Sequence, residues 1–239
     1  MEYTIALAVE DYIPVILSSA GLLLLAQMIN RLHKQAGMMA YAGFLLITLG
    51  GVFKASWKFT IALTGKDIVW MDNSLFVLLG PGFALMAWGL WSAQQTLKNE
   101  PVPHLVWLRP LAVIALFGTG AISSYLVQGG RTWVFILLGL TTFSNLAVGI
   151  LLIRQARQNG LNRAAALFLF NLVAVFTLSG MARIEPQTIP LQWSEQIINT
   201  LSQGAFFYAS WCLFKLVEAQ QMTTPLAQAT GSPVGVPQS

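Results

Sequence analysis

Charge is scarce: only 9% of the 239 residues are charged, against 56% that are hydrophobic, and the mean hydropathy is +0.65. Soluble domains carry about 25% charged residues, so a water-soluble fold is excluded. A membrane helix takes about 20 residues and a short loop, which allows roughly six to eight spans here and leaves no room for a folded soluble domain. There is one cysteine, Cys212, inside an apolar run; this rules out disulfides and cysteine-built metal sites and reads as a small apolar filler. The two histidines, His33 and His104, stand in short polar connections, so a haem or metal buried between helices has no imidazole, and no cofactor is expected. The 13 Lys and Arg residues give a net charge of +4 but form no run, which argues against nucleic acid as a partner. Residues Met1 to Asp11 carry Glu2, Glu10 and Asp11 and no base, the opposite of a cleavable signal peptide, so the first span is expected to stay.

Titratable groups are also missing from mid-depth, where ion-driven and proton-driven transporters usually place one, because every Asp and Glu lies near the end of an apolar run or in a connection. No nucleophile stands with a base at membrane depth, so enzymatic activity is not expected. A retinal pigment would need a lysine midway along the last run, which there reads Gly204-Ala205-Phe206-Phe207-Tyr208; Lys215 lies too near its end.

What is abundant is apolar sequence. Runs of spanning length cover Tyr12 to Ile29, Met38 to Leu63, Ile68 to Trp91, Leu105 to Val127, Thr132 to Ile153, Ala164 to Ala182 and Ile197 to Val217. They predict an all-α bundle of seven membrane helices over residues 1–221. The uncharged tail 222–239, rich in Thr, Ser, Pro and Gly, is expected to be disordered. Arg31, Lys34, Lys98, Arg109, Arg154, Arg157, Arg163 and Lys215 fall on one side, and Lys54, Lys58, Lys66, Arg131 and Arg183 on the other. The positive-inside rule then places the N-terminus outside and the C-terminus in the cytoplasm, in a bacterial plasma or internal membrane. The inner helix ends resemble one another, their bases Lys34, Lys98, Arg157 and Lys215 falling 64, 59 and 58 residues apart, and LGGVFK, GTGAIS and LSGMAR align Gly51, Gly120 and Gly180. Three tandem helical hairpins plus a seventh helix would account for this, although apolar helices with basic inner ends resemble one another in any case.

Charged groups inside spans are costly and are functional candidates. Lys54, Trp57 and Lys58 lie at i, i+3 and i+4 and share one face of the second helix, while Arg183 holds the position equivalent to Lys54 in the repeat. Neighbouring helix ends supply Asp11, Trp70, Asp72 and Glu195. Three readings fit. The lysines can snorkel to lipid headgroups beside an interfacial tryptophan belt. Lys54 can pair with Asp72, and Arg183 with Glu195, to hold helices together. Or the cations bind an anionic head while Trp57 and Trp70 cover its apolar part, since two lysines one turn apart repel unless an anion lies between them.

Near mid-depth, Gly80-Pro81-Gly82 removes a backbone hydrogen bond and permits a helix break, as at many transport sites, or a tolerated kink. Asn145, Asn171 and Gln203 stand out in a layer of small and polar residues, because a carboxamide in hydrocarbon must find a partner or a ligand. The leading expectation is a membrane protein binding a small anionic or amphiphilic ligand in an outward-facing pocket, as transporter or sensor. The rival is an accessory subunit of a larger membrane complex, with a membrane or cytoplasmic protein partner. Polar residues converging on one cavity favour the first, and dispersal over lipid-facing surfaces the second.

Overall fold

The structure is a computed structural model that describes residues 4–101, 106–186 and 188–230, with the side chains of 221–230 excluded. The expected tail 222–239 and the connection holding His104 thus lie outside what is described, wholly or in their side chains. Among the described residues every regular element is helical: α1 (Ile5–Glu10), α2 (Tyr12–Leu32), α3 (Lys34–Thr64), α4 (Val69–Leu97), α5 (Leu108–Gln128), α6 (Thr132–Gln158), α7 (Asn162–Met181) and α8 (Ile189–Thr230). The two first elements run on as one stretch, Ile5–Leu32, interrupted only at Asp11. Thr4 caps its start, its Oγ1 accepting from the Leu7 N–H at 3.3 Å. α3 begins a turn before its apolar run because His33 caps it, Nδ1 accepting from the Ala36 N–H at 3.2 Å. It ends at Gly65, whose φ of 68° is the left-handed conformation that glycine adopts without a Cβ clash.

Among the described residues, six helical stretches, 20 to 31 residues long with mean hydropathy 1.6 to 2.1, are long and apolar enough to cross a bilayer. The seventh long helix, α8, is more polar, and its polarity has one direction. Gln192, Gln196, Asn199, Gln203, Phe206, Ser210, Leu213 and Val217 recur at alternating spacings of four and three, all buried or half-buried. This inward stripe is amide-rich up to Gln203 and mostly apolar from Phe206 onward.

Helices α2, α3, α4, α6, α7 and α8 form a closed ring in that order, each packed on the next and α8 on α2; α5 lies outside it, mainly against α6. The repeat does not produce equivalent hairpins, since α4 packs chiefly on α3 and α6 rather than on α5. Nor do the aligned glycines share surroundings: a Cβ at Gly51 would lie 3.2 Å from Val15, at Gly120 3.8 Å from Ile136, and at Gly180 would meet nothing within 4 Å.

Packing within the ring is uneven along its axis. At the Arg31 end, Leu25, Ile29, Met86, Leu90, Leu152 and Leu213 are all but fully buried in one cluster. Because lipid is as apolar as leucine, close contact and dispersion hold such a cluster together more than burial does. Small residues allow that contact: a Cβ at Gly43 would stand 2.6 Å from the Gly82 carbonyl oxygen, and one at Gly82 2.7 Å from Ile47 Cγ1. Gly80 faces α6, where a Cβ would stand 3.2 Å from Leu140. α4 therefore passes unbroken through Gly80-Pro81-Gly82, and its glycines serve helix contacts. This end is tied further by Gln94 Nε2 donating to the Leu151 carbonyl at 2.9 Å, and by Arg31 and Lys215 on Glu218 at 3.2 and 2.8 Å. The Lys215 ammonium, then the Arg31 guanidinium, hold the Glu218 carboxyl below the ordinary carboxylate range.

Candidate functional site

At the opposite end the helix termini bring the charged residues together. Lys54 pairs with Asp72, which sits in the first turn of α4, where a carboxylate is favoured by the helix dipole. The other oxygen of Asp72 accepts from Arg131 Nη2 at 3.1 Å, across to the start of α6. Lys58 Nζ lies 2.8 Å from Asp11 Oδ2, and Asp11 Oδ1 accepts from the side-chain amide of Gln196 on α8. Glu10 accepts from the Thr200 hydroxyl, again linking α1 to α8. Lys54 Nζ stands 4.0 Å from the centroid of the Trp57 ring, whose N–H donates to Asp67 at 2.7 Å. Trp70 is exposed and meets Phe53 edge-on at 5.5 Å.

The two lysines sit one turn apart, each with its own carboxylate from a different neighbouring helix, and these carboxylates offset their mutual repulsion. The Lys54–Asp72 pairing is the one the sequence offered; Lys58–Asp11 is additional. Arg183 does not pair with Glu195: it is exposed just beyond α7 and makes no ion pair among the described residues. Glu195 is half-buried, and its Oε1 is shielded from water with no hydrogen-bond partner among the described residues.

Beneath this clasp a cavity of about 500 Å³ opens inside the ring, walled by α2, α3, α4, α6, α7 and α8 and by no residue of α5. Asn145, Asn171 and Gln203, from three different helices, all line it. Asn171 donates to the Ser202 carbonyl at 3.1 Å, whereas the carboxamides of Asn145 and Gln203 make no hydrogen bond among the described residues. Phe76, Phe83, Phe168, Phe176 and Phe206 supply an apolar lining, and Arg183 forms part of the wall. A smaller hollow of about 300 Å³, lined by Asp11, Lys54, Lys58, Glu195 and Gln196, shares Val15, Gly51 and Asn199 with the larger one. The two adjoin at these residues, the smaller lined by charged groups and the larger by amides. The larger cavity ends where Leu22, Leu152 and Phe168 join the close-packed core toward the Arg31 end.

Of the residues singled out from sequence, Asp11, Lys54, Lys58 and Glu195 line the mouth and Arg183, Asn145, Asn171 and Gln203 the larger cavity. Trp57, Trp70 and Asp72 belong to the surrounding contacts, and Gly80, Pro81 and Gly82 to the packing of α4. Sequence reasoning missed Asn199 and the phenylalanines. The first could have been found from the four-three stripe of α8; the rings carry no signal that separates them from lipid-facing ones. The chain matches no known protein family, no curated protein and no solved structure.

Proposed function

We propose that this integral membrane protein binds a small anionic or amphiphilic ligand in the cavity of the helix ring, as a sensor or as the outward-facing state of a carrier. The observation that carries this reading is the convergence of Asn145, Asn171 and Gln203 on one cavity of about 500 Å³, two of the three carboxamides having no hydrogen bond among the described residues. That volume lies within the roughly 300–1,000 Å³ of small-molecule sites, and a mainly apolar wall with a few polar groups is their usual composition. Unsatisfied amides in low dielectric favour a ligand with a carbonyl, hydroxyl or carboxylate to engage them. Arg183, with no ion pair, supplies the cation for an anionic group.

The lysines have a different role in this reading from the one expected of them. Lys54 and Lys58 are neutralised by Asp72 and Asp11, so they shape the mouth rather than hold the ligand's charge. The excess of bases at the Arg31 end supports an orientation with the N-terminus and the cavity mouth outside and the C-terminus in the cytoplasm. An accessory subunit would turn such amides outward to partner helices, whereas Asn145, Asn171 and Gln203 line the cavity.

Thermal unfolding of the full chain in neutral detergent with a panel of single-chain carboxylates, sulfonates and phosphates tests the reading. A ligand at 100 times its Kd adds about 2.7 kcal/mol to the folded state. The expected result is an upward Tm shift for at least one compound in the parent, lost in Asn145→Leu and Gln203→Leu. No shift for any compound, or equal shifts in both variants, contradicts it.

A further inference from the structure

The wall of the cavity is least closely packed where α6 meets α7. Phe176 and Ser179 at the Lys54 end of α7, and Arg183 just beyond it, are spaced i, i+3 and i+7; all three are exposed, and all three line the cavity. Across from them Leu138, Thr142 and Asn145, at i, i+4 and i+7 on α6, line the same space. The two helices are in close contact lower down, where a Cβ on Gly149 would lie 3.1 Å from Leu172, and at the turn that joins them. Leu172 is half-buried there, whereas Phe176 and Ser179, one and two turns farther toward the Lys54 end on the same side of α7, are exposed. The other five junctions of the ring pack more extensively. Leu169, Phe170, Val173 and Phe176 form an exposed apolar face on α7 beside this seam.

Resting on the binding function proposed above, we propose that this seam between α6 and α7 admits a single-chain anionic amphiphile sideways from the bilayer, its chain in the cavity and its head at Arg183. An alkyl chain moving between bilayer and cavity through an apolar gap never meets water. The route through the mouth would take every methylene out of lipid, at a cost that rises with chain length, and past the charged Lys58–Asp11 and Lys54–Asp72 pairs. Arg183 sits where the seam meets the membrane surface end of the cavity, so a head held there remains hydrated while its chain lies among Phe76, Phe168 and Phe206.

The test reconstitutes the full chain in phosphatidylcholine vesicles containing a 16-carbon fatty acid with a mid-chain diazirine, irradiates, and maps the adducts by mass spectrometry. Expected are adducts within residues 138–145 and 172–179 that fall at least ten-fold with excess palmitate or hexadecyl phosphate, the stronger competitor identifying the head group, and that also fall in Arg183→Ala. Adducts confined to lipid-facing helix surfaces such as Leu116 and Leu126 of α5, and insensitive to both competitors, overturn the proposal. A soluble short-chain carboxylate separates the two ideas. If hexanoate raises the Tm of the parent and not of Gln203→Leu while no competed adduct appears at the seam, the cavity still binds ligand and lateral access is wrong. If neither signal appears, both fail.

Discussion

Lys58 and Asp11 belong to different helices and keep only 20% and 10% of their side-chain surface exposed. At such burial the cost of breaking a pair exceeds the net worth of making it, because the remaining charge loses both its partner and its water. Lys58→Met is therefore expected to destabilise the folded state by about 3 kcal/mol, and Lys58→Met with Asp11→Asn to recover most of that. Unfolding in mixed micelles measures the cycle; additive single effects would show that the two do not act as a pair. Arg131, whose side chain is 70% exposed on Asp72, is the contrasting case and its loss is expected to cost under about 1 kcal/mol. The Lys54–Asp72 pair was legible in the sequence because α3 and α4 are consecutive and share one short connection. Lys58–Asp11 was not, because nothing local states that α1 lies beside the far end of α3.

Helix α4 joins the packed and hollow halves of the ring. Its Gly82 faces Gly43 and Ile47 so closely that a methyl group needs space that neither a backbone carbonyl nor a buried isoleucine can yield cheaply. Gly82→Ala is expected to cost about 1–3 kcal/mol through overpacking. Gly118→Ala, on α5 with nothing within 4 Å, is expected to be neutral or to gain up to about 1 kcal/mol from the restricted unfolded chain. Unfolding midpoints of both variants check this, and equal effects would mean that α3 and α4 do not approach so closely. Hydropathy alone located the spanning elements, since about 20 apolar residues leave few alternatives. It could not state what Gly80-Pro81-Gly82 does, because glycine that allows a break and glycine that allows close contact are the same residue in sequence. Nor did it make the most of α8, whose amides weaken it as a membrane span and become intelligible once they are seen to face inward.

At the scale of the molecule, the ring is solid toward Arg31 and hollow toward Lys54, and the α8 stripe changes from amide to mostly apolar where the cavity gives way to core. Ring order was beyond the sequence, because it depends on contacts between helices far apart in the chain, such as α2 with α8. The placement of α5 outside the ring likewise had no local signal. A one-sided cavity reached from the face that bears the N-terminus is the centre of the account, and it can be tested without knowing the ligand. In a Cys212→Ala background, single cysteines are placed along the inner stripe of α8 as Asn199→Cys, Gln203→Cys, Ser210→Cys and Leu213→Cys, and exposed to a membrane-impermeant thiol reagent from the N-terminal side of sealed membranes. The account predicts that positions 199 and 203 react and that 210 and 213 do not. Reaction at all four, at none, or only from the opposite side would contradict it.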